Sequence, residues 1–233
     1  MEKLIFLILI ISIIHFSKLQ DINYEIYVLS IQFINNMCEI SSDIEKCFTK
    51  VNNTKNNTFT IHGLWPGKKT GQNLEECSIS EKEIKINDSK LYEKMIKIWP
   101  TTNLNNGNEI FWTHEYYKHG FCYTTKYNLN MEDYFKKTIQ IFEKFDFANF
   151  IIKSFEGINN NFVYITLREF EKIIYSFYPS SYFKINCKKI KGNIYLSEIF
   201  FYFDLDFKFT KVNYSKDTNC PSTDNDLLII KLI

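Results

Sequence analysis

Three histidines follow the N-terminal apolar segment of this chain: His62, His114 and His119. Two of them sit in Trp112 to Cys122, WTHEYYKHGFC, beside a carboxylate and a lysine. Read as a helix, with His114 as zero, this stretch puts Lys118 at about 40°, Glu115 at about 100° and His119 at about 140°. The four groups share one arc, while Tyr116 and Tyr117 point elsewhere. Glu115 and His119 are i,i+4 neighbours, a spacing at which a carboxylate orients an imidazole and favours its charged form. His114 and Lys118 are likewise i,i+4, a cationic pair suited to an anion. Taken singly, Glu115 and Lys118 would read as a solvated helix face.

The string H-E-Y-Y-K-H invites comparison with H-E-x-x-H, which sets two zinc ligands at i and i+4. Here the histidines are one residue further apart, and Lys118 intrudes beside them, so no metal site is expected and no cofactor is called for. Two histidines, a carboxylate and a lysine, without a nucleophilic Ser or Cys motif, suit proton transfer around an anionic centre. RNA carries its own nucleophile, the 2′-hydroxyl. One neutral histidine can remove that proton while a protonated one donates to the leaving 5′-oxygen. Both states are within reach because imidazole titrates near neutrality. His114 and Lys118 would stabilise charge building on the phosphoryl oxygens. These residues permit such chemistry without singling it out.

Several elements must position these groups. Tyr24 to Phe33, YEIYVLSIQF, predicts a strand. Asn35 to Thr58 is polar and predicts a long surface loop. Phe59 to His62 alternates, which predicts a half-buried strand presenting His62 away from Phe59 and Ile61. Gly63 breaks that pattern, and Trp65-Pro66-Gly67 predicts a turn. One or two helices are expected over Ser80 to Trp99, then a loop over Thr101 to Asn108. Phe111 to Cys122 and Met131 to Phe150 predict helices. Phe162 to Thr166 predicts a strand, Leu167 to Tyr178 a helix, and Ile194 to Leu205 and Phe207 to Val212 strands. Helices and strands intersperse without regular βαβ alternation, so the class is α+β. No repeat, linker or boundary divides the chain.

The bulk numbers set limits. Met1 to Lys3 precede Leu4 to Ile14, apolar apart from Ser12, a run too short to span a bilayer, which needs roughly 20 residues. Residues 1–20 therefore predict a secretory signal peptide, and residues 21–233 one catalytic domain, soluble once the leader is removed. The net charge of +1 argues against tight, general binding of nucleic acid and leaves room for a local groove. In an oxidising compartment the even set Cys38, Cys47, Cys77, Cys122, Cys187 and Cys220 predicts three disulfides, whose pairing spacing alone does not settle. Sequons at Asn52, Asn56, Asn87 and Asn213 fit a glycosylated chain.

FTIHGLWP at Phe59 to Pro66 and WTHEYYKHGFC resemble the two active-site segments of the ribonuclease T2 family. YVLSIQF at Tyr27 to Phe33 resembles the family's N-terminal strand. The run from Cys187 through Leu196-Ser197-Glu198-Ile199 to Cys220-Pro221 resembles its closing segment. The resemblance implies a single α+β domain with an antiparallel sheet and packed helices. It implies an endonuclease that converts single-stranded RNA to a 2′,3′-cyclic phosphate and then a 3′-phosphate. By it, His62 matches the general acid, His119 the general base and His114 a phosphate-binding residue. Glu115 and Lys118 match the residues that stabilise the phosphorane, Trp65 an aromatic beside the ribose, and Gln32 a base contact. It further suggests bridges Cys38–Cys47, Cys77–Cys122 and Cys187–Cys220. Phe33 departs from the usual Trp; Gly67 departs from the usual acidic residue, so base preference does not carry over; and Tyr202 departs from the usual Cys, so an inner C-terminal bridge is expected to be missing. The expected setting is a monomer that is secreted or delivered to a lysosome or vacuole. The rival is a secreted binding or signalling glycoprotein of the same fold that has lost catalysis.

Overall fold

The computed structural model describes residues 23–40, 59–71, 74, 77–78, 81–102, 107–213, 219–220 and 226–232. The apolar leader, Cys47 with its expected bridge to Cys38, and the sequons at Asn52 and Asn56 lie outside the described residues. Asn87 and Asn213 are exposed.

Strand β1 (Ile26–Phe33) is buried along its whole length. Tyr27, Leu29, Ile31 and Phe33 face the main core, while Ile26 and Val28 face a smaller cluster with Trp65, Tyr202 and Val212. Helix α1 (Ile34–Ile40) follows directly, where a surface loop was expected. Its buried Asn36 explains the difference. The Asn36 amide donates to the carbonyls of Leu196 and Ile229, and its oxygen accepts from the Lys231 amide. One polar side chain thus stitches two strands together, a role that polarity alone does not reveal.

Strand β2 (Phe59–Gly67) pairs antiparallel with β1 and continues through Trp65-Pro66-Gly67, where a turn was expected. Helix α2 (Ser89–Ile98) begins only at its Asp88 cap, later than the apolar spacing suggests. Helix α3 (Gly107–Glu115) runs into a π turn (Tyr116–Gly120) and then helix α4 (Phe121–Tyr127). Helix α5 (Met131–Lys144) opens on a capping box between Asn130 and Asp133. It stops earlier than expected because Asp146 takes a left-handed conformation, and a short 3-10 turn leads to α6 (Phe150–Ser154).

Strand β3 (Phe162–Thr166) and helix α7 (Leu167–Phe177) lie where the pattern places them, joined at a Thr166–Glu169 capping box. Strands β4 (Phe183–Ile190) and β5 (Asn193–Phe203) form a hairpin. Residues 207–212 form no strand beyond a bridge from Phe209 to Phe203, since Asp204 accepts from the amides of Asp206 and Lys208 and turns the chain. Strand β6 (Leu227–Lys231) completes a sheet ordered β2-β1-β5-β6-β3, with β4 on the other side of β5. The sheet is mixed, not wholly antiparallel as expected, because β6 runs parallel to β5 at Ile194 and Tyr195. The long connection after Phe203 permits that return. Among the described residues no helix is long and apolar enough to cross a membrane.

Candidate active site

The β1–β2 ladder pairs Ser30 with Gly63 and Ile31 with Ile61, so His62 is the extra residue of a β-bulge. Before the bulge Phe59 and Ile61 face the core, and simple alternation would send Leu64 outward. The bulge resets the phase: Leu64 enters the main core, and Trp65 emerges on the opposite face. One inserted residue thereby sets His62 and Trp65 beside each other, with ring centroids 5.1 Å apart.

The protein's three tryptophans hold this geometry. Trp99 donates its indole N–H to the His62 carbonyl at 2.8 Å, and Trp112 on α3 donates to the Trp99 carbonyl at 2.7 Å. The bulge and the helix bearing His114 and Glu115 are therefore tied through a single carbonyl relay. Tyr134 of α5 bonds both backbone groups of Leu64, fixing the strand just after the bulge. The third indole, Trp65, donates to Glu115 Oε2 at 2.8 Å. Gly63 makes room for that bond: a Cβ there would lie 2.1 Å from Glu115 Oε2 and 2.3 Å from Trp65 Nε1.

The π turn corrects the helical-wheel picture. Phe121 N–H bonds the Tyr116 carbonyl, so the turn carries an additional residue and the i,i+4 projections across it no longer hold. No hydrogen bond or ion pair joins Glu115 to His119. The partner of His119 is instead the Leu74 carbonyl, which accepts from Nδ1 at 3.1 Å and leaves Nε2 with its lone pair. That carbonyl is held near by the Cys77–Cys122 disulfide and by the Cys77 amide, which donates to the Lys118 carbonyl. The Cys187–Cys220 disulfide also forms, away from these groups on β4.

Burial splits the two histidines. His119 is 4% exposed, and desolvation, with the neighbouring charges of Lys118, His62 and His114, pulls it down to about 3 against the support of the Leu74 carbonyl. Desolvation also pulls on His62, but it is outweighed. Glu115 Oε1 lies 3.6 Å from Nε2, and Glu198 Oε1 lies 2.5 Å from Nδ1; together they push His62 up to about 9. The His62 side chain keeps 30% of its surface in contact with solvent, which screens part of that attraction. Glu115 is itself buried, and desolvation raises it against the pull of His62, the Trp65 bond and nearby cations. The expected link between Glu115 and a charged His119 is thus replaced by a link between Glu115 and His62.

His62, Trp65, Phe111, His114, Glu115, Lys118 and His119 line one cleft of about 320 Å³. Trp65 lies beside both histidines, with its ring also 5.1 Å from that of His119. A larger cleft of about 720 Å³ adjoins it through His62, Phe111 and His114, and includes Gln32, Thr101, Thr102 and Glu198. Gln32 is buried, and its amide nitrogen has no hydrogen-bond partner among the described residues, which leaves a donor for a ligand oxygen. His114 is half exposed and lies 3.5 Å from Glu81. Every sequence-expected site residue lines one of these two clefts. The residue that motif reading left without a role is Glu198, on β5 opposite Gln32. Tyr202, where a cysteine is usual in the resembled family, is buried in the smaller cluster against Val28 and Trp65. Chemically, the cleft brings a proton donor and a proton acceptor beside one aromatic ring, next to a lysine.

Proteins similar to this chain in sequence and in fold carry ribonuclease names. Ribonuclease Rh of Rhizopus niveus is 32% identical over 63% of this chain and 65% of its own length. Ribonuclease S-2 of Pyrus pyrifolia is 30% identical over 70% of this chain and 69% of its own. The chain thus spans about two thirds of the length of these relatives. A ribonuclease MC1 variant solved in complex with 5′-UMP superposes with a TM-score of 0.66 at 20% identity, over 86% of this chain and 97% of that one. The profile of the Ribonuclease T2 family matches residues 24–220, most of the length, and on that match the chain belongs to the ribonuclease T2 family.

Proposed function

We propose that this protein is an endoribonuclease that cleaves single-stranded RNA by transesterification. His119, neutral, takes the 2′-hydroxyl proton through Nε2; the 2′-oxygen attacks phosphorus; and His62, protonated, gives its Nε2 proton to the departing 5′-oxygen. The product is a 2′,3′-cyclic phosphate. In the slower second half His62 accepts a proton from water, His119 returns one to the 2′-oxygen, and a 3′-phosphate results. Lys118 and His114 supply positive charge at the phosphoryl oxygens, and Trp65 gives the ribose a wall. Glu115 adds negative charge that keeps His62 protonated, and the free amide donor of Gln32 meets a base. No step calls for a metal or cofactor.

The observation that carries this reading is the opposed bias of the two histidines that share one cleft beside Trp65. One is held charged by carboxylates and the other held neutral by burial, as an acid and a base must be. The ribonuclease names of its relatives and the 5′-UMP complex of ribonuclease MC1 support the same substrate class. The setting that suits it is a monomer carried into the secretory pathway by residues 1–20, with residues 21–233 as the catalytic domain. There it would be glycosylated at exposed sequons and closed by a third bridge, Cys38–Cys47.

Purified protein incubated with a defined RNA oligonucleotide in excess EDTA tests the proposal. Early products are expected to end in a cyclic phosphate, lighter by one water than the 3′-phosphate that replaces it. An intact oligonucleotide would favour the catalytically silent binding glycoprotein, and cleavage only when EDTA is omitted would favour metal-dependent hydrolysis.

A further inference from the structure

His62 has two ring nitrogens, and the reaction proposed above uses one of them. Nε2 lies on the side of Glu115 in the smaller cleft. Nδ1 meets Glu198 Oε1 at 2.5 Å, the closest polar contact of the ring. Glu198 stands on β5, opposite Gln32 of β1 in the ladder, and that pairing carries its carboxylate across the sheet to the bulge. The Glu198 side chain has no other hydrogen bond or ion pair among the described residues. Three charged groups bear on the ring: Glu198 from β5, Glu115 from α3 and Lys118 from the π turn.

A carboxylate has only acceptors, so the contact requires a proton on Nδ1. While His62 is doubly protonated, that leaves the Nε2 proton to be given away. After it has been given, the ring is the Nδ1–H tautomer, with an Nε2 lone pair ready to take a proton from water. The alternative neutral tautomer, with the proton on Nε2, would leave Nδ1 facing a carboxylate with no proton between them.

We propose that Glu198 is the positioning residue of His62. By accepting the Nδ1 proton it sets the ring's orientation and tautomer, and so reserves Nε2 for the substrate in both halves of the reaction. This rests on the ribonuclease reading, and it adds a residue that never touches the substrate's reacting atoms.

The test compares wild type and Glu198→Gln on two substrates. One is a dinucleotide, whose 5′-alkoxide needs an acid to leave. The other is a nucleoside 3′-(4-nitrophenyl phosphate), whose phenolate leaves with little help. Loss of turnover should be about tenfold or more on the dinucleotide, part of the roughly 10²–10⁴-fold that a general acid contributes. The loss on the nitrophenyl ester should be markedly smaller. The alkaline limb of kcat/KM on the dinucleotide should move to lower pH by about one unit or more, since one of two flanking carboxylates is gone. Equal losses on both substrates, or no loss on either, overturn the proposal.

A measurement on wild type keeps the proposal decidable if Glu198→Gln does not fold. Nitrogen NMR of the imidazoles should show His62 titrating at Nε2, with Nδ1 protonated throughout. A neutral His62 carrying its proton on Nε2 contradicts the proposal. If wild type cleaves neither substrate, the ribonuclease reading fails by itself, and the NMR result still decides the Glu198 contact.

Discussion

Trp65 Nε1 donates to Glu115 Oε2 at 2.8 Å, joining the strand that carries His62 to the helix that precedes His119. The bond is buried, and Glu115 Oε1 faces His62 at 3.6 Å. Trp65→Phe keeps an aromatic wall but leaves a buried carboxylate oxygen without its donor. An unsatisfied buried group costs about 1–3 kcal/mol, more when charged. A lower Tm is expected together with a fall in kcat/KM. Unchanged Tm and activity would show that the bond is unimportant in solution.

Gly63 tests the same bond from the backbone side. Its missing Cβ lies where Glu115 Oε2, held by α3, meets Nε1 of Trp65, two residues along the same strand. Gly63→Ala should therefore impair activity about as much as Trp65→Phe does, although it removes no polar group. Crystals of the alanine variant should show Glu115 or the Trp65 indole displaced. An intact bond with wild-type turnover would refute this account of the glycine.

The pH dependence has a defined sign. His119 works when neutral, and since burial and nearby cations hold it down at about 3, it stays competent well into acid. His62 works when protonated, and since Glu115 and Glu198 overcome its desolvation, it stays competent up to about 9. The kcat/KM profile should be a broad plateau, falling on the acid side as His119 gains a proton and on the alkaline side as His62 loses one. Glu115→Gln should draw the alkaline limb toward lower pH and leave the acid limb nearly in place. Movement of the acid limb alone would assign Glu115 to His119 after all.

How much of this was legible in the sequence depends on the residue. The alternation at Phe59 to His62 places that strand, and the apolar stripe of Leu167 to Phe177 places its helix. The bulge at His62 was not legible, because it is defined by the partner strand and shows only when Ser30 and Ile31 are paired across. The π turn was hidden for a similar reason: a wheel at fixed pitch assumes the hydrogen-bonding pattern that the turn breaks. That error paired Glu115 with His119 when its charge is spent on His62. Glu198 is one carboxylate among many until β5 is set against β1. Strand β4 was overlooked although Phe183, Ile185 and Cys187 do alternate with Lys184, Asn186 and Lys188, since the lysines mask its apolar face. The site's residue types were readable, and their partners required the sheet.

The Cys77–Cys122 disulfide couples stability to the base. Removing a native bridge from a secreted domain typically costs about 2–5 kcal/mol. Here it should also free the segment whose Leu74 carbonyl holds His119. The double variant Cys77→Ala/Cys122→Ala should lose Tm, and at temperatures where it remains folded it should lose turnover as well. A variant that is less stable yet fully active when folded would limit the bridge to a stabilising role.

The central claim is that the substrate provides the nucleophile and the two histidines only move protons. The most direct measurement replaces one ribose of an RNA oligonucleotide with 2′-deoxyribose and maps the cleaved bonds by mass. The bond 3′ to the deoxy sugar should survive while its neighbours are cut at their usual rates, and His62→Ala or His119→Ala should slow all of them by about 10²-fold or more. Cleavage at the deoxy position, or direct release of 5′-phosphate ends, would contradict the mechanism.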